Sequence, residues 1–225
     1  MEEYIMTIDE GTTSARAVLF NKDSEIIAIC AKEFAQYYPQ PGWVEQDPKE
    51  IWLTTKEVIN RVVLQAGIDP RQIKAAGITN QRETVVVYDK NTGEPVYNAI
   101  GWADRRTAPY CDELKAAGKE QMFIDKTGLL IDGYFSGTEI KWILDNVPGA
   151  REKAEAGDLY FLILMDGSCT NLQKASAILQ TTLMHQERSC LIFTLLSGMM
   201  ICLNSLIFQS QCVLLHFQVV DISVQ

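Results

Sequence analysis

The chain has 225 residues, and its 20 basic against 29 acidic side chains give a formal charge of −9. That balance argues against nucleic acid as a partner. Six cysteines fall at irregular spacings with no CxxC or zinc-ligand pattern, so a reduced, cytoplasmic protein is expected. The opening Met-Glu-Glu places two acids where an export signal needs basic residues.

In chain order, Tyr4–Ile8 is predicted as a buried strand, followed by the polar turn Asp9-Glu10-Gly11-Thr12-Thr13-Ser14. Ala17–Phe20 makes a second strand, and Asn21-Lys22-Asp23 turns into a third around Ile26-Ile27-Ala28. A helix starts at Asp47, with Pro48 in the first helical position and Glu50 closing a capping box. Ile51, Thr55, Val58, Val62 and Val63 follow at helical spacing until Gly67 stops it. Ala75–Ile78 and Val85–Tyr88 are strands flanking the polar island Thr79–Thr84, and helical patterns fill 104–126 and 137–156. The order of these elements describes one compact α/β lobe.

Four polar islands interrupt this pattern. Gly11 followed by three hydroxyl residues offers N–H and O–H groups to an anion, with Arg16 two residues on and Asp9 placed to hold Mg²⁺ beside it. The same six residues also suit an ordinary hairpin turn. Arg82 and Glu83 together offer donors and acceptors that match a polyol, or else form an exposed surface pair. Trp102 is either a flat wall for a carbon chain or a core residue, and Arg105 and Arg106 read as an exposed helix start. Tyr134 offers a hydroxyl to a ligand, whereas Phe135 suits packing.

Taken together, these islands resemble the FGGY carbohydrate kinases, and glycerol kinases in particular. The likeness runs from Tyr4 to Phe161 through Pro41-Gly42-Trp43-Val44-Glu45-Gln46-Asp47-Pro48, Gly77–Thr84 and Tyr134–Thr138. It implies an incomplete first lobe of the actin-like ATPase (ribonuclease-H-like) fold, with ATP, Mg²⁺ and glycerol as the parent enzyme's ligands. The implied reaction moves the γ-phosphate of ATP to glycerol, giving sn-glycerol 3-phosphate and ADP, mainly by positioning and charge stabilisation. By the same likeness Asp9 assists the metal, and Thr12, Thr13 and Ser14 meet the nucleotide phosphates. Arg16 binds there too and stabilises the transferred charge as a catalytic residue. Arg82, Glu83 and Tyr134 bind glycerol against Trp102. The family's general base sits in a Gly-Asp-Gln motif that does not occur in these 225 residues, so the chain alone is expected to be inactive. Glu10 stands where the family usually has Gln, and Gly133 where it often has Pro. Complete relatives are expected to be homo-oligomers. A kinase fragment for another polyol and a non-catalytic polyol-binding module are the competing readings.

Texture changes near Phe161, which divides the chain into 1–161 and 162–225. All seven prolines and all four tryptophans precede it, and the later part has only Asp166, Lys174, Glu187, Arg188 and Asp221 as charged residues. Ser189–Val220 is uncharged and long enough for a membrane helix, but Asn204, Gln209, Gln211, His216 and Gln218 interrupt it, so no anchor is expected. The residues after about Met165 read instead as the same family in a shifted frame. Joining the last base of each codon to the next two forces Ala from Met184-His185 and Asp from Met199-Met200. The flanking codons permit family-like strings around both positions. Met165-Asp166 forces Gly, which does not match the family. On this reading His185, His216 and the four late cysteines have no function.

Overall fold

The computed structural model describes residues 2–164, and the shifted-frame reading of the tail lies outside them. Strands β1 (Tyr4–Glu10), β2 (Ser14–Asn21) and β3 (Ile26–Glu33) form an antiparallel meander. In β1 the even positions are buried and the odd ones face out, the period of a sheet with one covered face. The cover is helix α1 (Pro48–Ala66), reached through the two-residue strand β4 (Glu45–Gln46). Ile51, Thr54, Thr55, Val58 and Val62 form its buried stripe, and Val58 and Val62 pack with Met6, Ile8, Ala17 and Leu19. Fully burying such an aliphatic side chain contributes about 1.5–3 kcal/mol.

Both ends of α1 follow the sequence signals. Asp47 accepts from Lys49 N at 2.8 Å, and Gly67 takes the left-handed conformation with φ 65°. The capping box does not form. Glu50 turns away and accepts from Ala35 N (3.0 Å) and Tyr37 Oη (3.1 Å), fastening the loop after β3 to the first turn of the helix.

A 3₁₀ turn at Pro70–Gln72 leads to β5 (Ile73–Asn80), which lies parallel to β1 and completes the order β3-β2-β1-β5. The next strand, β6 (Val85–Asp89), belongs to a different sheet. With β7 (Ala99–Ile100) and β8 (Leu159–Ile163) it gives the order β4-β7-β6-β8. The polar island therefore marks the crossing from one sheet to the other. The two long helical patterns each break in two, giving α2 (Ala108–Ala116) and α3 (Glu120–Thr127), then α4 (Ser136–Asn146) and α5 (Ala150–Glu155). Gly118, at φ 70°, makes the first break; Pro148, which has no N–H, and Gly149, at φ 76°, make the second. β8 carries the fold past residue 161, and Leu164 packs with Phe34, Ile51, Val86 and Ala99.

Candidate functional site

The β1–β2 connection is a tight hairpin in which Gly11 N donates to Ser14 O at 2.9 Å. Asp9 stands across from Arg16 on β2 and beside Thr79 on β5, on the face opposite α1. Arg16 is exposed and makes no ion pair among the described residues. Thr13 is exposed, and Thr12 and Ser14 are half-buried. Phe34 N donates to Thr13 O at 3.2 Å, tying the hairpin tip to the end of β3. Glu10 alternates to the other face, where it is buried and accepts from Thr55 Oγ1 of α1 at 3.0 Å.

Trp102 links this hairpin to the rest of the candidate site. Its Nε1 donates to Thr12 Oγ1 at 3.2 Å, and its ring meets that of Tyr134 at 5.9 Å. Tyr134 in turn stands edge-on to Phe135 at 5.1 Å. One residue on, the start of α4 holds Glu83: Ser136 N and Oγ donate to its carboxylate at 3.2 and 3.0 Å, and Oγ also donates to its carbonyl at 2.6 Å. Glu83 is buried with φ 65°, a left-handed backbone that costs a non-glycine residue of order 1–2 kcal/mol. Arg82, next to it, is exposed. Thr12, Trp102, Tyr134 and Glu83 thus form a connected series, while Arg82 and Arg16 stand at its rim.

Underneath lies a closed circuit of buried or half-buried polar groups. Gln46 Nε2 donates to Thr12 O (2.8 Å), Gln81 Nε2 to Gln46 Oε1 (2.6 Å), and Thr84 Oγ1 to Gln81 Oε1 (3.1 Å). Trp102 N then donates to Thr84 Oγ1 (3.2 Å), and the Trp102–Thr12 bond closes the ring. Gln36 braces it from outside, donating to Thr12 O at 3.0 Å and accepting from Gln46 at 2.9 Å. The circuit joins the hairpin of one sheet to the loops of the other.

A family model for the FGGY carbohydrate kinase N-terminal domain matches residues 4–190. The chain belongs to the FGGY family of carbohydrate kinases. It is 61% identical over 160 residues to the glycerol kinase of Carboxydothermus hydrogenoformans, a match covering 71% of this chain and 32% of that relative. It is 60% identical over 161 residues to the glycerol kinase of Geobacillus sp., again with 32% of the relative covered. The chain therefore spans about a third of the length of the curated relatives it matches. Among solved structures it resembles Plasmodium falciparum glycerol kinase with ADP, at TM-score 0.72 and 30% identity, covering 77% of this chain and 35% of that one. It also shares the fold of ligand-bound xylulose kinase from Lactobacillus acidophilus, at TM-score 0.76 and 20% identity over 93% of this chain and 41% of that one.

One arginine of this FGGY lobe departs from its expected place. Arg105 is exposed and pairs with Asp132, as a helix start suggests, but Arg106 is buried. Its guanidinium meets both oxygens of Asp104, takes Glu45 at 2.8 Å, and lies 3.8 Å over Trp43 and 4.6 Å from Trp142. Burial works against its charge, but Asp104 and Glu45 outweigh that and hold its pKa above the usual arginine value. Sequence reading also missed Gln36, Gln46, Gln81, Thr84 and Ser136 as supports of the site. Gln46, Gln81, Thr84 and Ser136 sit inside the motifs that carry the resemblance, which was the available signal. Ser189–Val220 lies outside the described residues, among which no helix is long and apolar enough to cross a membrane.

Proposed function

We propose that this chain carries the phosphate hairpin and much of the polyol pocket of a glycerol kinase, the enzyme that uses ATP to make sn-glycerol 3-phosphate from glycerol. The observation that carries this reading is the Trp102–Thr12 hydrogen bond. It sets an aromatic wall directly against the hairpin whose N–H and hydroxyl groups suit phosphate, so an alcohol lying on Trp102 faces a phosphate held at Thr12, Thr13 and Ser14. Glu83, anchored by Ser136, accepts from the polyol hydroxyls; Tyr134 and Arg82 donate to them. Arg16 meets the charge of the transferred phosphoryl group.

The donor set also fits Mg²⁺. Among the described residues no three His, Cys, Asp or Glu side chains cluster to hold a metal by themselves. Asp9 at the hairpin suits an ion that keeps its waters and arrives with nucleotide phosphates, taking one carboxylate from the protein. When bound, Mg²⁺ neutralises phosphate charge.

The 225-residue chain is proposed to be inactive by itself, since it contains no Gly-Asp-Gln to supply the base. Loss of a general base alone typically costs about 10²–10⁴-fold. A coupled assay for glycerol-dependent ADP formation tests this: no turnover above background is expected, and turnover at rates normal for a kinase refutes it. The boundary near 161 is proposed from the change of composition there; the matches to glycerol kinases run over 160–161 residues, whereas the family model extends to residue 190. Sequencing the gene tests the shifted frame: codons incompatible with the family-like strings end that reading.

A further inference from the structure

Beneath the Glu83 anchor lies an acid with no evident partner. Glu139 sits on α4 three residues after Ser136, so the two share one face of the helix. It is fully buried, and neither carboxyl oxygen has a hydrogen-bond partner. The charged groups facing it are Glu83 from the β5–β6 loop, and Asp104 and Arg106 from the β7–α2 connection. Glu45 of β4 stands behind Arg106, and Lys141 of the same helix is engaged with Asp145.

The neighbouring acids differ from Glu139 in one respect. Glu45 accepts from Tyr97, Asn98 and Arg106; Asp104 accepts from Val44 N and four times from Arg106; Glu83 accepts from Ser136. The one cation of the cluster serves two carboxylates through Nε and Nη2, while its Nη1 is buried and makes no hydrogen bond to Glu139 or to any other described group. Neither Glu139 oxygen accepts a hydrogen bond, and the Arg106 charge that faces it is shared with Asp104 and Glu45; burying a carboxylate with no donor is far more costly than burying the neutral acid.

We propose that Glu139 is carried in the folded lobe as a neutral carboxylic acid, and that its proton is a pH-sensitive fastening under the Ser136–Glu83 anchor. Burial is the main influence, with Asp104 and Glu83 adding to it and Arg106 opposing, and together they raise its pKa well above the ordinary 4.5. The folded state then keeps a proton that the unfolded chain releases above about pH 4.5, so stability is full below that pH and falls as pH rises toward the raised value. Through Ser136 the same ionisation loosens Glu83; that consequence rests on the polyol reading proposed above.

The test is denaturant unfolding of the 225-residue chain and its Glu139→Gln variant from pH 4 to pH 9. The ratio of their unfolding constants should widen with pH, by up to about tenfold per unit, in favour of the variant. A pH-independent ratio, or a variant less stable than the parent at pH 7, overturns the proposal. Carbon-13 carboxyl NMR of the glutamate-labelled parent decides the matter even if the variant does not fold. One buried carboxyl at the neutral-acid position at pH 7 supports the proposal, and none overturns it. A widening ratio without any response to glycerol at any pH would count against the polyol reading and leave the proton assignment standing.

Discussion

Replacing Gln46 by Leu removes one member of the closed circuit under the site while roughly keeping its volume. Gln46 is fully buried; it donates to Thr12 O and Gln36 Oε1 and accepts from Gln81 Nε2. Thr12 O keeps its second donor, Gln36, and half-buried Gln36 can turn to water. Gln81 cannot, because it is buried and loses the acceptor of its amide. An orphaned buried donor costs about 1–3 kcal/mol, and the lost bonds to Thr12 and Gln36 add to it, so about 2–4 kcal/mol is expected. For a unit of this size that lowers Tm by roughly 5–12 °C. Gln36→Leu should cost no more than about 1.5 kcal/mol, because solvent reaches it. Gln46→Leu with Gln81→Leu should cost less than the sum of the two single changes, since donor and acceptor then leave together. The assay is urea unfolding of the parent and the four variants (Gln46→Leu, Gln36→Leu, Gln81→Leu and the double change), followed by tryptophan fluorescence. A Gln46→Leu chain within about 0.5 kcal/mol of the parent, or full additivity in the double variant, would refute the circuit as a source of stability.

Arg106→Met should cost about 3–5 kcal/mol in the same assay, since it strands Asp104 and Glu45 in the core. Arg106→Lys should recover only part of that, lacking the fork and the stack on Trp43; full recovery would contradict the geometry. A Cβ added at Gly133 would stand 2.9 Å from Thr107 Oγ1, itself bonded to Thr138, so Gly133→Ala should destabilise by about 1–3 kcal/mol. A neutral or stabilising result by thermal melting would show that Thr107 yields. Asp89 accepts from Lys153 and from the N–H groups of Thr92 and Asn91, which lower its carboxyl from 3.8 to about 2. Its contribution is present above pH 3.8 and is lost as pH falls through about 2, so Asp89→Asn should flatten that acid limb and leave the alkaline side unchanged. On the face opposite α1, Ile5, Ile26, Ile27 and Ile29 stay 40–55% exposed; Ile29→Lys should lower self-association in sedimentation velocity.

The legible parts of the fold were those written in local pattern. Asp47, Pro48 and Gly67 bound α1 as their chemistry dictates, and short apolar runs beside polar turns located β1, β2 and β6. Glu50 misled because the competing donors, Ala35 N and Tyr37 Oη, come from a loop that only the tertiary fold brings near. Arg105 and Arg106 are adjacent yet opposite in fate, because burial of the second depends on Trp43, Tyr97 and Trp142 from distant segments. The strands β4 and β7 are two residues long, too short to carry any period. Gly118 and the Pro148-Gly149 pair were visible breakers, and their weight against helical continuity was underestimated. In the candidate site, the hairpin, Glu83, Trp102 and Tyr134 could be named from the islands. The glutamine circuit could not, since its members are ordinary polar residues until the two sheets meet.

The central claim is that Trp102 and Glu83 form a polyol site against the hairpin. Labelling the four tryptophans with nitrogen-15 and titrating with glycerol reads this through the indole N–H signals. The account predicts a saturable shift of the Trp102 signal, assigned by Trp102→Phe, with the Trp43 signal unmoved and the response lost in Glu83→Gln. No saturable movement of Trp102, or an equal response to xylulose, would contradict it.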